Sequence, residues 1–199
     1  MKIRILIFIL PIFFISCVSL SKKEEVDHIV TKARFNKSIY FNEELNLEIK
    51  FDNDWAIFIS YNDLNDEQKE LFKYFNSPYD ELLFIGFNEQ YSIGVKCTNQ
   101  VLGLENQDYL DRLKLANSVF FDKYKYEEIL LEDKFYPTIE GIRLTSRIAI
   151  NKYNVFIFDS LIFKHKLNNF KIDFWMAEEI FEEKKEYLEY IFSSINFKF

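Results

Sequence analysis

The chain has 199 residues, 25 basic and 32 acidic, a formal net charge of −7, and 23 Phe and 12 Tyr against only 4 Gly, 3 Pro, 2 Cys and 2 His. The acidic balance disfavours nucleic acid and anionic lipid surfaces as partners, and none of the four glycines is spaced as a GxGxxG or Walker phosphate loop. With no HExxH, GxSxG or CxxC and few histidines, the usual metal and nucleophile motifs are missing, while the length suits one domain with a sizeable, aromatic-rich core.

Lys2 and Arg4 precede an apolar run over residues 5–15, closed by Phe14-Ile15-Ser16-Cys17. A positive start, a short apolar core and a small residue before a cysteine read as a secretory signal. The run is shorter than the roughly twenty residues a membrane-spanning helix needs. The junction resembles the lipobox of bacterial lipoproteins, with Phe14 where leucine is usual. In that family the cysteine becomes the mature N-terminus and carries acyl chains. The resemblance implies a signal peptide over residues 1–16 and lipidation of Cys17. An ordinary cleaved signal or an uncleaved anchor is the alternative, against which Pro11 interrupts the run and no second apolar segment follows. Several acyl chains hold a protein firmly, since each buried methylene contributes about 0.8 kcal/mol and one chain alone is marginal.

Removing residues 1–16 takes away Lys2 and Arg4 and no acid, which moves the net charge from −7 to −9. Cys97 is then the one cysteine left beside Cys17, so no intramolecular disulfide is expected and the core holds the fold unaided. Residues 17–38, with the charged run Ser21-Lys22-Lys23-Glu24-Glu25, read as the acylated cysteine and a tether.

The domain is expected over residues 39–199. Leu47, Ile49 and Phe51 alternate with Glu48 and Lys50 before the turn Asp52-Asn53-Asp54 and a second strand from Trp55. Asn65 and Gln68 offer a capping box for a short helix carrying Leu71, Phe72 and Phe75, ended before Pro78. Residues 82–87 and 91–97 give two strands, with Cys97 alternating with Ile93 and Val95 as a buried structural thiol. Tyr109, Leu113, Ala116 and Phe120 then show the helical period.

The C-terminal half predicts a three-strand antiparallel meander. Ile142, Leu144 and Ile148 alternate with Arg143, Thr145 and Arg147; a hairpin falls at Asn151-Lys152-Tyr153-Asn154; residues 155–163 form a nearly all-apolar central strand; and Phe170, Ile172, Phe174 and Met176 alternate with Lys171, Asp173 and Trp175. A last helix over about residues 177–193 turns Phe181, Leu188, Ile191 and Phe192 inward, and residues 195–199 close the chain as an extended segment. Hairpins with too few crossovers for a parallel sheet predict an α+β fold: an antiparallel sheet with helices packed on it.

Three elements carry a second resemblance: Leu45-Asn46-Leu47-Glu48-Ile49-Lys50-Phe51 followed by Trp55, the meander, and the close Tyr190-Ile191-Phe192-Ser193-Ser194-Ile195-Asn196-Phe197. Together they resemble the PsbP-like family, which includes the extrinsic photosystem protein PsbP and DcrB-type bacterial lipoproteins. The match covers about residues 39–199. The resemblance implies a single PsbP-like domain acting as a binding or assembly module rather than an enzyme, and no functional residue is carried across.

Tested for chemistry, Glu178, Glu182 and Glu186 share a helical face that reads as a solvated surface partly neutralised by Lys184 and Lys185, and His165 between Lys164 and Lys166 reads as a solvated imidazole. No catalytic residue, metal ligand or cofactor is expected. Arg143 and Arg147 form either a small partner- or anion-binding ladder or pairs with acids on neighbouring strands such as Asp173. Trp175 points away from the inferred core, either as an exposed interface anchor or packed beneath a helix or the tether. The expected protein is therefore a cell-envelope lipoprotein, held in the membrane through Cys17 and binding an envelope or external protein. A carrier of a small apolar ligand between sheet and helices is the second reading.

Overall fold

Strands β1 (Ala33–Asn36), β2 (Ile39–Asn42) and β3 (Leu47–Lys50) lead into β4 (Trp55–Phe58), β5 (Glu81–Asn88) and β6 (Ile93–Val101). Helix α1 (Asn106–Ala116), strands β7 (Lys125–Phe135), β8 (Glu140–Asn151), β9 (Asn154–His165) and β10 (Asn168–Ala177), helix α2 (Glu178–Ser193) and β11 (Asn196–Phe197) follow. These elements come from a computed structural model that describes residues 33–36, 38–59, 81–88, 92–116 and 125–198.

They build a four-stranded sheet, β1-β2-β3-β11, and a seven-stranded sheet, β4-β5-β6-β10-β9-β8-β7, each antiparallel at every pairing. The period-two pattern of β10 explains the layering. Phe170, Ile172, Phe174 and Met176 enter a core shared with Tyr40, Leu47 and Ile49 of the small sheet, with Phe51 just after β3, and with Phe181, Leu188, Ile191 and Phe192 of α2. The buried α2 residues fall at spacings of seven, three and one, which places them on one stripe of a 3.6-residue helix. The other face of the large sheet meets α1, where Tyr109 and Leu110 pack on Ile142, Leu144 and Ile162.

The chain is α+β, as expected, with the expected hairpin between β8 and β9 and the all-apolar run in β9. Three features differ from the sequence reading. First, the meander has four strands, because β7 forms the sheet's outer edge. Its burial alternates only between exposed and half-buried, and its sequence Lys-Tyr-Glu-Glu-Ile-Leu-Leu-Glu-Asp-Lys-Phe lacks the clean alternation of a strand with one core face. Second, β1 lies inside the stretch read as tether and pairs with β2, so ordered structure is already present at Ala33. Third, the two strands flanking the Asp52-Asn53-Asp54 turn belong to different sheets; the expected extended close is present as β11, paired with β3. The capping-box helix near Asn65 and the Phe120 end of the next helix lie outside the described residues, as do residues 1–32 with Cys17.

Candidate functional site

Among the described residues, two clusters of buried charge interrupt the large sheet, one on each face. On the α2 face, β8 presents Arg143, Thr145 and Arg147, while β9 presents Asp159 opposite Thr145. Arg143 is 3% exposed and Asp159 0%. Arg143 Nε donates to Asp159 Oδ1 at 2.9 Å and Nη2 to Oδ2 at 2.6 Å, a planar fork matched to a carboxylate. Its third nitrogen, Nη1, donates to Glu189 of α2. Thr145 Oγ1 donates to Asp159 at 3.0 Å, and the guanidinium lies 5.4 Å from the Phe192 ring centre. Burial alone would lower the Arg143 pKa, but its hydrogen bonds to Asp159 and the charges of Asp159 and Glu189 raise it.

Four residues along β8, Arg147 donates to both carboxylate oxygens of Glu178, at 2.7 and 3.3 Å. The geometry explains why both pairs form. Four strand steps span about 13 Å and the eleven helix steps from Glu178 to Glu189 about 16 Å, so the two arginines of β8 reach acids about three turns apart on α2. This fastens α2 to the sheet. The Arg143 fork is filled by protein carboxylates, so an incoming anion would have to displace Asp159 or Glu189. Of the two sequence readings, the structure has the pairing with acids. The partners are Asp159, Glu189 and Glu178 rather than Asp173, because Asp173 points to the opposite face.

On that opposite face Asp173 is buried beside Lys171 (2.8 Å) and Lys96 (3.5 Å) and accepts a hydrogen bond from Ser160 Oγ at 2.6 Å. Burial pushes its pKa up, yet Lys171, Lys96 and Ser160 together hold it below the usual carboxylate value. Trp175 lies on the same face. The expected alternation is present, but the exposed indole is corrected: Trp175 is 3% exposed, faces Gly94 across the β6–β10 pair, and meets the Phe87 ring edge-on at 6.0 Å. Gly94 makes the room, since a Cβ there would stand 2.1 Å from the indole.

The remaining candidates fall apart from one another. Cys97 is buried and free of a disulfide, and burial, with Asp173 and Glu81 nearby, pushes its thiol pKa well up. It therefore lacks the thiolate character a nucleophile needs. His165 is not a freely solvated imidazole: it stacks on Phe197 at 3.7 Å, and burial and Lys166 lower its pKa. Glu178 is taken by Arg147, and among the described residues no three His, Cys, Asp or Glu side chains converge to hold a metal ion. Asp159 and Glu189 are the site residues the sequence reading missed. The signal for Asp159 was present: a lone acid in the otherwise apolar run of β9 must be paired when that strand is central, and an arginine on the adjacent strand is the natural partner.

No protein-family model matches the sequence, and no curated protein does. The fold does have solved counterparts. Cyanobacterial PsbP (CyanoP) from Synechocystis sp. PCC 6803 superposes with a TM-score of 0.60 at 12% identity, covering 90% of this chain and 99% of that one. A Bacteroides thetaiotaomicron protein has a TM-score of 0.46 at 10% identity over 77% of this chain and 45% of that one. A Pseudomonas aeruginosa protein of unknown function, described as a putative regulator, has a TM-score of 0.42 at 7% identity over 82% of this chain and 95% of that one. The first likeness establishes a PsbP-like fold for this chain, as the sequence pattern implied.

Proposed function

We propose that the protein is a membrane-anchored lipoprotein of the bacterial cell envelope whose PsbP-like domain works as a non-catalytic binding or assembly module. The observation that carries the anchor is the junction Phe14-Ile15-Ser16-Cys17 after a short apolar run, with Cys17 as the acylated residue. Binding rather than catalysis is supported by how the buried polar groups are used. Arg143, Asp159 and Asp173 are each committed to partners within the domain. Groups held this way stiffen a scaffold instead of waiting for a substrate. The partner is an envelope or external protein.

The test is photo-crosslinking in living cells with an unnatural residue at surface positions such as Tyr153, Tyr190 and Ile129, which are exposed. A discrete protein adduct at one cluster of positions and not at others, lost when that cluster is changed to alanine, is the expected outcome. Adducts at no position, together with co-purification of a small apolar molecule, would replace the module with a carrier.

A further inference from the structure

Large apolar side chains stand exposed together at one end of the seven-stranded sheet. Val101 (72% exposed) and the partly exposed Leu102 end β6, Leu167 (68%) is in the β9–β10 turn, and Phe135 (78%) ends β7. Strand registers put Val101 level with the Leu167 turn, and Phe135 one residue further in and on the opposite face of the sheet. Val101 is opposite Asn168, Asn168 opposite His165, Phe163 opposite Gly141, and Phe135 opposite Glu140. From β6 to β7 this end of the sheet spans five strands, about 19 Å at the usual strand spacing. The Gly103 N–H donates to the Leu167 carbonyl at 2.9 Å, which ties the two apolar turns together, and exposed Lys166 sits beside Leu167.

The chain enters the domain at this same end. Ala33 is opposite Asn42, Asn42 opposite Leu47 and Leu47 opposite Phe197, whose ring stacks on His165 next to Lys166 and Leu167. Three strand spacings, about 15 Å, therefore separate Ala33 from Phe197. Residues 17–32 precede it, and even fully extended those sixteen residues reach at most about 55 Å.

We infer that Val101, Leu102 and Leu167 form the face the domain lays on the bilayer that holds its acyl chains, with Lys166 reaching the headgroups. The inference rests on the Cys17-anchored reading above. A tether that enters at this end turns it toward the membrane, and interfacial contact favours apolar side chains backed by a lysine whose stem can snorkel. The occupant is a zwitterionic lipid surface, because a net charge near −9 after processing opposes strongly anionic ones.

The test uses the full acylated chain purified from membranes and reconstituted into phosphatidylcholine vesicles with a nitroxide low in the headgroup region. Leu167→Cys and Val101→Cys carry a fluorophore at the proposed face. Tyr153→Cys, in the β8–β9 turn at the other end of the sheet, carries it as the reference. Mass spectrometry of the N-terminal peptide is run on each preparation. Stronger quenching at 167 and 101 than at 153, with acyl chains on Cys17, is expected. Equal weak quenching at all three, or stronger quenching at 153, with Cys17 acylated, would overturn the inference and leave the anchor intact. A Cys17 without acyl chains would overturn the anchor and this face with it.

Discussion

Replacing Arg143 by leucine removes the guanidinium that neutralises Asp159, a carboxylate with no exposed surface, and leaves it the Thr145 hydroxyl in this network. Breaking a buried ion pair from one side costs about 3–5 kcal/mol, because the surviving charge stays desolvated and uncompensated. The lost contact to Glu189, which is partly exposed, adds at most about 1 kcal/mol. Against a typical domain stability of about 5–15 kcal/mol the loss is large. At a urea slope of about 2 kcal/mol per molar, a 4 kcal/mol loss lowers the unfolding midpoint by about 2 M. The double variant Arg143→Leu/Asp159→Leu removes both charges and should recover most of the loss, since an apolar replacement of a whole buried pair is often close to neutral. Urea unfolding followed by far-ultraviolet circular dichroism reads all three proteins. A single variant within about 1 kcal/mol of the parent, or a double variant no better than the single, would refute the reasoning that Asp159 depends on Arg143.

Gly94→Ala should destabilise by about 1–3 kcal/mol in the same assay, as its methyl would meet the indole of Trp175, which is packed on Phe87. Arg147→Ala, which breaks the half-exposed pair with Glu178, should lower the urea midpoint far less than Arg143→Leu, and an equal effect would show that exposure does not rank the two pairs. The lowered pKa of Asp173 means that its ionised form stabilises the fold fully above the ordinary value of 3.8 and loses that contribution as pH falls through the folded value. The stability gap between the parent and Asp173→Asn should accordingly be widest near neutral pH and close below pH 3.8; a gap independent of pH would contradict this. Cys97 should stay unlabelled by a thiol reagent in the native protein and react on unfolding, which mass spectrometry reads directly.

What was legible in the sequence was whatever one-sided burial imposes. β10 and α2 carry strong period-two and 3.6-residue patterns because each has a face against the core, and their inward residues are those the pattern names, while β9 shows as a continuous apolar run because both its faces are covered. Strand β7 was hidden for the opposite reason: as an edge it buries little, so its charges and apolar residues follow no period. The second sheet was hidden because a four-residue strand such as β1 or β2 acquires its identity from partners distant in sequence, including β11 at the far end of the chain. The arginines were visible as a polar face of β8, but a helix covers that face, and which acids meet them depends on where α2 lands. Trp175 was assigned to the correct face of β10, yet its burial depends on Gly94, on the adjacent strand but four strands earlier in sequence, providing the space. Alternation reports the side of a sheet; it does not report what lies over that side.

Cys17 decides whether the domain is anchored to a membrane. Cells expressing the protein are grown with a clickable palmitate analogue, and the parent and Cys17→Ala chains are compared for label and for membrane fractionation. Label on the parent alone, with the alanine variant released from the membrane fraction, is the result expected of an acyl-anchored lipoprotein. An unlabelled parent, or an alanine variant that remains labelled and membrane-bound, would contradict it.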